Sequence, residues 1–318
     1  MSESSNYKGS SWMPDYDPPR ARATYTHDAN RSYAEAEQKG TKDWDLLPES
    51  ITTAAENALL LVNDMTGSMS SWPITVRTKA LYLDHELRTM YLSEDTDVAF
   101  CAFGDAMHNE RYPLQVREFT RGKAGHEVRL GELVHTKGGG GGGHETSELA
   151  ALYIARNVHV PNQSRKPIVI FNTDEAPYDE VTVARARDIA RVKIDKKMTT
   201  KEVFAELTRK FSVYLIQKPY DSSSDQAWIT KTWEDLIGAD HIALLPDENR
   251  IVDVIFGILG HYSGKIEAFK RELESRQTPE QVRVVMAALK PIFANAVSDG
   301  RSITHGLDDE GNDVGSLI

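Results

Sequence analysis

The sequence predicts an α/β protein: a doubly wound, mostly parallel sheet flanked by helices, with a helical extension toward the C-terminal end. Two observations carry this. Short apolar runs bounded by turn residues, such as 58–63, 97–104 and the one that opens 166–179, read as strands buried on both faces. Between them lie stretches in which apolar residues return at every third or fourth position, the spacing of a helix with one buried stripe. Strands that alternate with helices imply a parallel sheet, because a helix returns the chain to the same edge.

The elements follow in order. Residues 1–44 are polar and without periodicity, and are expected to form an extended arm, with Trp12, Tyr16 and Tyr25 as anchors. The main domain spans 45–262. Its first strand is Ala58 to Asn63. A helix from about Thr75 to Leu92 carries the stripe Val76, Ala80, Leu83, Leu87 and Met90. The run Asp97 to Gly104 is a second strand, and the alternating Leu114 to Thr120 suits an edge strand. A loop with six glycines, 138–143, precedes a helix reaching about Val158. Lys166 to Asp179 is a buried strand that ends in carboxylates. The basic stretch Val181 to Lys210 is expected to be largely helical, with Thr199 and Glu202 as a capping box. Then come a strand at 211–217, a helix at 226–237, a strand at 241–245 and a closing helix from Ile251. A helical extension, 263–297, and an acidic, Gly-rich flexible tail, 298–318, complete the chain.

Composition limits the function classes. The net charge of −11 argues against a general surface for nucleic acid or anionic membranes. Cys101, the single cysteine, cannot form an intramolecular disulfide and lies in an apolar run, so a reducing compartment is expected. The first residues lack the apolar stretch of a signal peptide, and no segment approaches bilayer-spanning length. The expectation is a soluble, cytoplasmic protein.

Three strand ends or loops carry oxygen donors: Asp64, Thr66 and Ser68; then Thr146, or Ser147; then Asp174. Carboxylates and hydroxyls are hard ligands and suit Mg²⁺ or Mn²⁺ rather than zinc or copper. Asp64, Thr66 and Ser68 alternate, so one turn can aim all three at one point. His126, His135 and His144 surround the glycine loop at spacings that match no zinc motif and are expected on the surface. The basic residues Arg185, Arg187, Arg191, Lys193, Lys196, Lys197 and Lys201 read as a solvated face that an acidic partner could use.

"DMTGS" (64–68) resembles the Asp-x-Ser/Thr-x-Ser motif of the metal-ion-dependent adhesion site in von Willebrand factor A domains. "GGGGGGHETSEL" resembles that family's second metal loop, and "FNTDEAP" its third. The resemblance covers about residues 50–262, with "IVDVIFGIL" as the family's last helix. It implies a von Willebrand A, Rossmann-like fold and, by its cytosolic bacterial members, an intracellular protein. It also implies that Ser68 and Thr66 ligate the metal directly, that Thr146 adds a third hydroxyl, and that Asp64 and Asp174 bind mostly through water. A partner's Glu or Asp would complete the coordination, and MoxR-type AAA+ ATPases are the family-level partner. Glu175 stands where many members have Gly, and is expected either to crowd the site or to add charge to it.

Enzymatic readings are weaker. "DMTGS" also resembles the Asp-Lys-Thr-Gly-Thr stretch of phosphoaspartate enzymes, in which Asp64 would be the nucleophile of an Mg²⁺-dependent phosphatase. Position 65 is Met and no lysine motif accompanies it. No general base stands beside a nucleophile in any pattern, so no catalytic residue is assigned. An RNA-binding role of the Ro type is disfavoured by the acidic balance.

Overall fold

The computed structural model describes residues 29–69, 71–108, 110–136 and 142–298. Most of the arm reading, the tail from 299 and the start of the glycine run lie outside these residues. Six strands form the central sheet: β1 (Asn57–Asp64), β2 (Thr96–Phe103), β3 (Leu114–Val116), β4 (Ile168–Thr173), β5 (Ser212–Gln217) and β6 (Ile242–Leu244). Their spatial order is β6-β5-β4-β1-β2-β3. All neighbours are parallel except β3, which runs antiparallel to β2. The fold is therefore the doubly wound, mostly parallel α/β architecture that the sequence predicts. Short strand pairs outside it include Ile51–Thr52 with Val158–His159 and His144–Glu145 with Ala176–Pro177.

The apolar runs are continuous because both faces of the sheet are covered. Successive side chains of a strand point to opposite faces. On one face Leu60, Val62, Ala99, Cys101, Val169, Phe171, Val213 and Leu215 meet α5 (Ser147–Asn157), α7 (Thr200–Lys210) and α8 (Ser223–Ile237). On the other, Leu59, Leu61, Val98, Phe100, Ile168, Ile170, Tyr214 and Ile216 meet α2 (Ser71–Thr78), α3 (Ala80–Glu86), α4 (Gly122–Gly131) and α9 (Ile251–Tyr262).

The second core does not stop at α9. Phe269 and Leu273 of α10 (Ile266–Arg276) and Val285, Leu289 and Ile292 of α11 (Pro279–Ser298) belong to it and are fully buried. All ten residues from Ile251 to Gly260 are buried, since α9 lies between the sheet and these two helices. Gly257 permits the approach: a Cβ there would sit 2.1 Å from Leu289 Cδ1. The helical segment after 262 is thus packed into the domain.

Four other elements differ from the sequence reading. Residues Ala29–Gln38 form a helix, α1, where an extended arm is expected. Ala36 and Tyr33 dock it beside Leu46, Tyr112 and Val134, and the Tyr112 hydroxyl donates to the Thr41 carbonyl at 2.9 Å. The helix expected at 75–92 is broken at Lys79 and ends in a π turn, Leu87–Tyr91. The edge strand is shorter than expected, Leu114–Val116, with one further bridge at Thr120. The stretch 181–210 is helical only in α6 (Val183–Asp188) and α7. Between them Ala190, Val192 and Ile194 are buried while Lys193 and Asp195 are exposed, the alternation of an extended segment lying on α5's side of the sheet.

The capping box is present: the Thr199 hydroxyl accepts from the Glu202 amide at 3.2 Å, and Glu202 Oε2 accepts from the Thr199 amide at 2.7 Å. Thr199→Ala should lower the unfolding free energy by about 1 kcal/mol in urea titrations. An unchanged midpoint would show that α7 is held by packing alone.

Candidate metal centre

Strand β1 ends on Asp64, which is fully buried. The chain turns at once, and the Thr66 amide and hydroxyl both donate to Asp64 Oδ1, at 2.8 and 2.6 Å. Strand β4 ends on Thr173, whose hydroxyl donates to Asp64 Oδ2 at 2.7 Å. The next residue, Asp174, accepts from the exposed Ser68 through Oδ1 at 3.1 Å. The carboxyl ends of β1 and β4 are so joined by side chains at the point where the strand order reverses. Ligand crevices of doubly wound sheets open there.

Asp64, Thr66, Ser68 and Asp174 form two carboxylate–hydroxyl pairs in one place. Thr146 is set differently. Its amide donates to the Gly104 carbonyl at 3.1 Å, and its hydroxyl donates to the same oxygen rather than to the other four. That bond ties the second loop to the end of β2. The Ser147 hydroxyl is buried and without a hydrogen-bond partner.

A hydroxyl has one proton and two lone pairs. Thr66 and Ser68 each give that proton to a carboxylate, which can only accept when ionised. Each hydroxyl is left with lone pairs to offer, and each carboxylate is held against it.

Several carboxyl groups are buried together at the site, where ionising each of them is costly. Burial pushes the Asp64 carboxyl up from its ordinary 3.8 to about 7; the neighbouring Asp174 adds to the rise and the Thr66 and Thr173 hydrogen bonds oppose it. Glu175 is buried and raised to about 7, first by burial and then by Asp174. Glu145 is raised to about 11, by burial, then Asp64 and Glu175. One oxygen of Glu145 and one of Glu175 are buried without a hydrogen-bond partner. Glu175 thus adds a third buried carboxyl group beside Asp64 and Asp174.

Three contributors are not singled out by sequence reasoning. Lys218, the first residue after β5, donates through Nζ to the Ser68 carbonyl at 2.8 Å and to Asp174 Oδ2 at 3.1 Å. Asp105, just past β2, is fully buried, accepts from the Met107 amide at 2.8 Å and the Tyr178 hydroxyl at 3.1 Å, and pairs with His108. Glu145 precedes Thr146. Lys218 and Asp105 share a signal with Asp64 and Asp174: each is a polar residue at or just past the end of a buried strand.

Two of the three histidines are not on the surface. His126 is buried edge-on to Phe100, with Asp84 3.8 Å away, and His135 is buried as well. Both lie on the apolar side of their segments, where packing outweighs the cost of burying an imidazole. His144 stacks on Tyr178 at 5.0 Å and meets Trp228 edge-on at 4.8 Å. Gly143 lets this loop close on Trp228, since a Cβ there would lie 3.1 Å from its ring. No cluster of three His, Cys, Asp or Glu side chains arranged to hold a metal occurs among the described residues. A site here would depend on hydroxyls. Three of the seven basic residues are paired locally, Arg187 on Asp188, Lys197 on Glu180 and Arg185 3.8 Å from Glu148.

Fold and crevice define the class: a doubly wound α/β domain with an oxygen-lined site at the sheet's switch point. No family model matches the chain, and no curated protein matches it by sequence. Among solved structures, the chain is similar to the pilus adhesin SpaC from Lactobacillus rhamnosus GG in its open conformation, at 11% identity and a TM-score of 0.47. That match covers 71% of this chain and 31% of the adhesin. It is also similar to proximal thread matrix protein 1 of the mussel byssus, at 9% identity and a TM-score of 0.43, over 64% of this chain and 47% of that one. A form of the mussel protein with a zinc-occupied MIDAS motif matches at 13% identity and a TM-score of 0.41, over 65% and 46% of the two chains. This chain thus spans about a third of the adhesin and under half of the mussel protein.

Proposed function

We propose that the chain is a metal-dependent protein-interaction module. The observation that carries this reading is the pairing of Thr66 with Asp64 and of Ser68 with Asp174, which gathers two hydroxyls and two buried carboxylates at the ends of β1 and β4. An all-oxygen donor set of this kind fits a small, hard divalent cation. Asp64, Thr66, Ser68, Thr146 and Asp174 are the residues assigned to hold Mg²⁺ or Mn²⁺; Thr146 would have to turn its hydroxyl from Gly104. Bound there, the ion would supply one electrophilic position for a carboxylate from a partner.

The roles of the protein's own residues follow. Asp64 and Asp174 balance the charge. Thr173 and Thr66 fix the Asp64 carboxylate so that it does not rotate away. Acidic neighbours repel a partner's carboxylate while the site is metal-free, so metal acts as a switch as well as a contact. The partner class implied by the family resemblance is a MoxR-type AAA+ ATPase presenting a Glu or Asp, and the compartment is the cytoplasm. No helix among the described residues is long and apolar enough to cross a membrane.

Affinity purification with and without Mg²⁺ tests the reading. A partner should be retained in Mg²⁺, lost in EDTA, and lost in Asp64→Ala or Thr146→Ala. Binding should weaken with salt, since attraction between exposed charges is screened beyond roughly 8 Å at physiological ionic strength. Lys196/Lys197→Glu should weaken it only modestly, because Lys197 is already paired with Glu180. Full retention in EDTA would remove the metal face from the docking surface.

A second reading, an Mg²⁺-dependent phosphoaspartate hydrolase with Asp64 as nucleophile, gains one observation: Lys218 supplies the cation which the sequence motif lacks. Against it, both Asp64 oxygens are engaged by threonines and the side chain is fully buried. Phosphate release from acyl and aryl phosphates, abolished in Asp64→Asn, would favour this reading.

A further inference from the structure

We propose that Lys218 is a tethered cation that takes the place of the metal in the metal-free protein and sets the affinity of the site for divalent ions. The inference rests on the metal-binding reading above and adds a residue that the family motif does not contain.

The geometry is specific. Lys218 Nζ bridges two of the three loops, donating to the Ser68 carbonyl at 2.8 Å and to Asp174 Oδ2 at 3.1 Å. The other oxygen of Asp174 accepts from the Ser68 hydroxyl at 3.1 Å. One ammonium thus closes a ring through a backbone oxygen and a side chain of the first loop and the carboxylate of the third. The backbone of Lys218 is fixed by its amide, which donates to the Thr173 carbonyl at 3.1 Å, so its stem starts from the strand end that carries Asp174. Its side chain is 29% exposed while that of Asp174 is 4% exposed. The head reaches inward from solvent and has a way out, whereas the carboxylate does not. Among the described residues no other Lys or Arg stands within ion-pair distance of Asp64 or Asp174.

The consequence is competition for one carboxylate. An ammonium and a divalent ion both draw on Asp174, and two cations at close range repel each other. Metal binding becomes an exchange: the ion takes Asp174 and Ser68, and the Lys218 head swings to solvent. The site can then remain compact without metal, yet it binds metal less tightly than its oxygen donors alone would allow. The displaced ammonium stands at the rim, where an incoming acidic side chain would arrive.

Calorimetric titration of Mg²⁺ and Mn²⁺ into the full chain tests this, with Lys218→Met to remove the charge at similar length and Lys218→Arg to keep it. Lys218→Met should bind either ion at least about tenfold more tightly, the scale of one unit-charge repulsion in a partly solvated site. Lys218→Arg should stay close to the parent. Reductive methylation with labelled formaldehyde gives a second readout. Lys218 should react slowly in EDTA and faster in saturating Mg²⁺, and Asp64→Ala should abolish the metal effect. Equal or weaker metal affinity in Lys218→Met, or a methylation rate indifferent to metal, overturns the inference and leaves the metal site standing. Absence of metal binding in both parent and Lys218→Met overturns the metal reading, and this inference with it.

Discussion

In chelator at pH 8, Asp64→Asn should unfold at a higher denaturant concentration than the parent chain. The Asp64 carboxyl is raised from 3.8 to about 7 by burial and by Asp174. A group whose folded-state pKa lies above its unfolded value binds its proton more tightly when folded. The associated stability is fully present below pH 3.8 and is lost as the pH rises through about 7. Above that, folding holds a buried carboxylate charged. At about 1.36 kcal/mol per pH unit, the cost is on the order of 4 kcal/mol. Asparagine has nearly the same shape and no charge, so it removes this cost, and the Thr66 and Thr173 hydroxyls can reorient to suit it. The margin should close toward pH 4. Saturating Mg²⁺ should reverse the ranking, because it stabilises the parent by mass action and has no site in the variant. Parallel pH profiles of parent and variant in chelator would show that Asp64 is not a charge held at a cost.

The second large effect lies far from the site. Truncation after Tyr262 should abolish the folded state or leave a chain that binds hydrophobic dyes. It uncovers Phe256, Ile258 and Leu259 while removing Phe269, Leu273, Val285, Leu289 and Ile292 from the same core. Single substitutions scale this down: Leu289→Ala should cost about 2–5 kcal/mol and Phe269→Ala about 3–5 kcal/mol, the range for emptying a fully buried site. Deleting residues 1–40 should cost far less, since Ala36 is the only buried side chain among those described in that stretch. A truncated chain that folds with the parent's stability would make the C-terminal helices an appendage.

The contrast shows what is legible in a sequence. The four inner strands are, because cover on both faces makes each a continuous apolar run that no exposed element can afford. Asp64, Thr66, Ser68 and Asp174 are legible for the complementary reason: polar residues that follow such runs stand at the carboxyl edge of the sheet. Lys218 and Asp105 obey the same rule but stand outside the three loop motifs, so the pattern passes over them. The stripe of α11 is plain, yet an amphipathic stripe says that a helix must be buried and not against what. Its place beneath Gly257 is a tertiary fact. The basic stretch misleads for another reason. Its Lys and Arg content favours helix, while the alternation of Ala190, Val192 and Ile194 records the extended segment that forms there. His126 and His135 are buried because their segments are, which spacing alone does not reveal.

The account stands most directly on where a metal binds. Crystals of the full chain grown in Mn²⁺ and measured for anomalous scattering give the position without assumption. The account predicts a single strong peak in contact with Ser68 Oγ and Thr66 Oγ1, at the ends of β1 and β4, that vanishes in Asp64→Ala. A crevice with no peak, with Lys218 still joining Ser68 to Asp174 at saturating Mn²⁺, would contradict it.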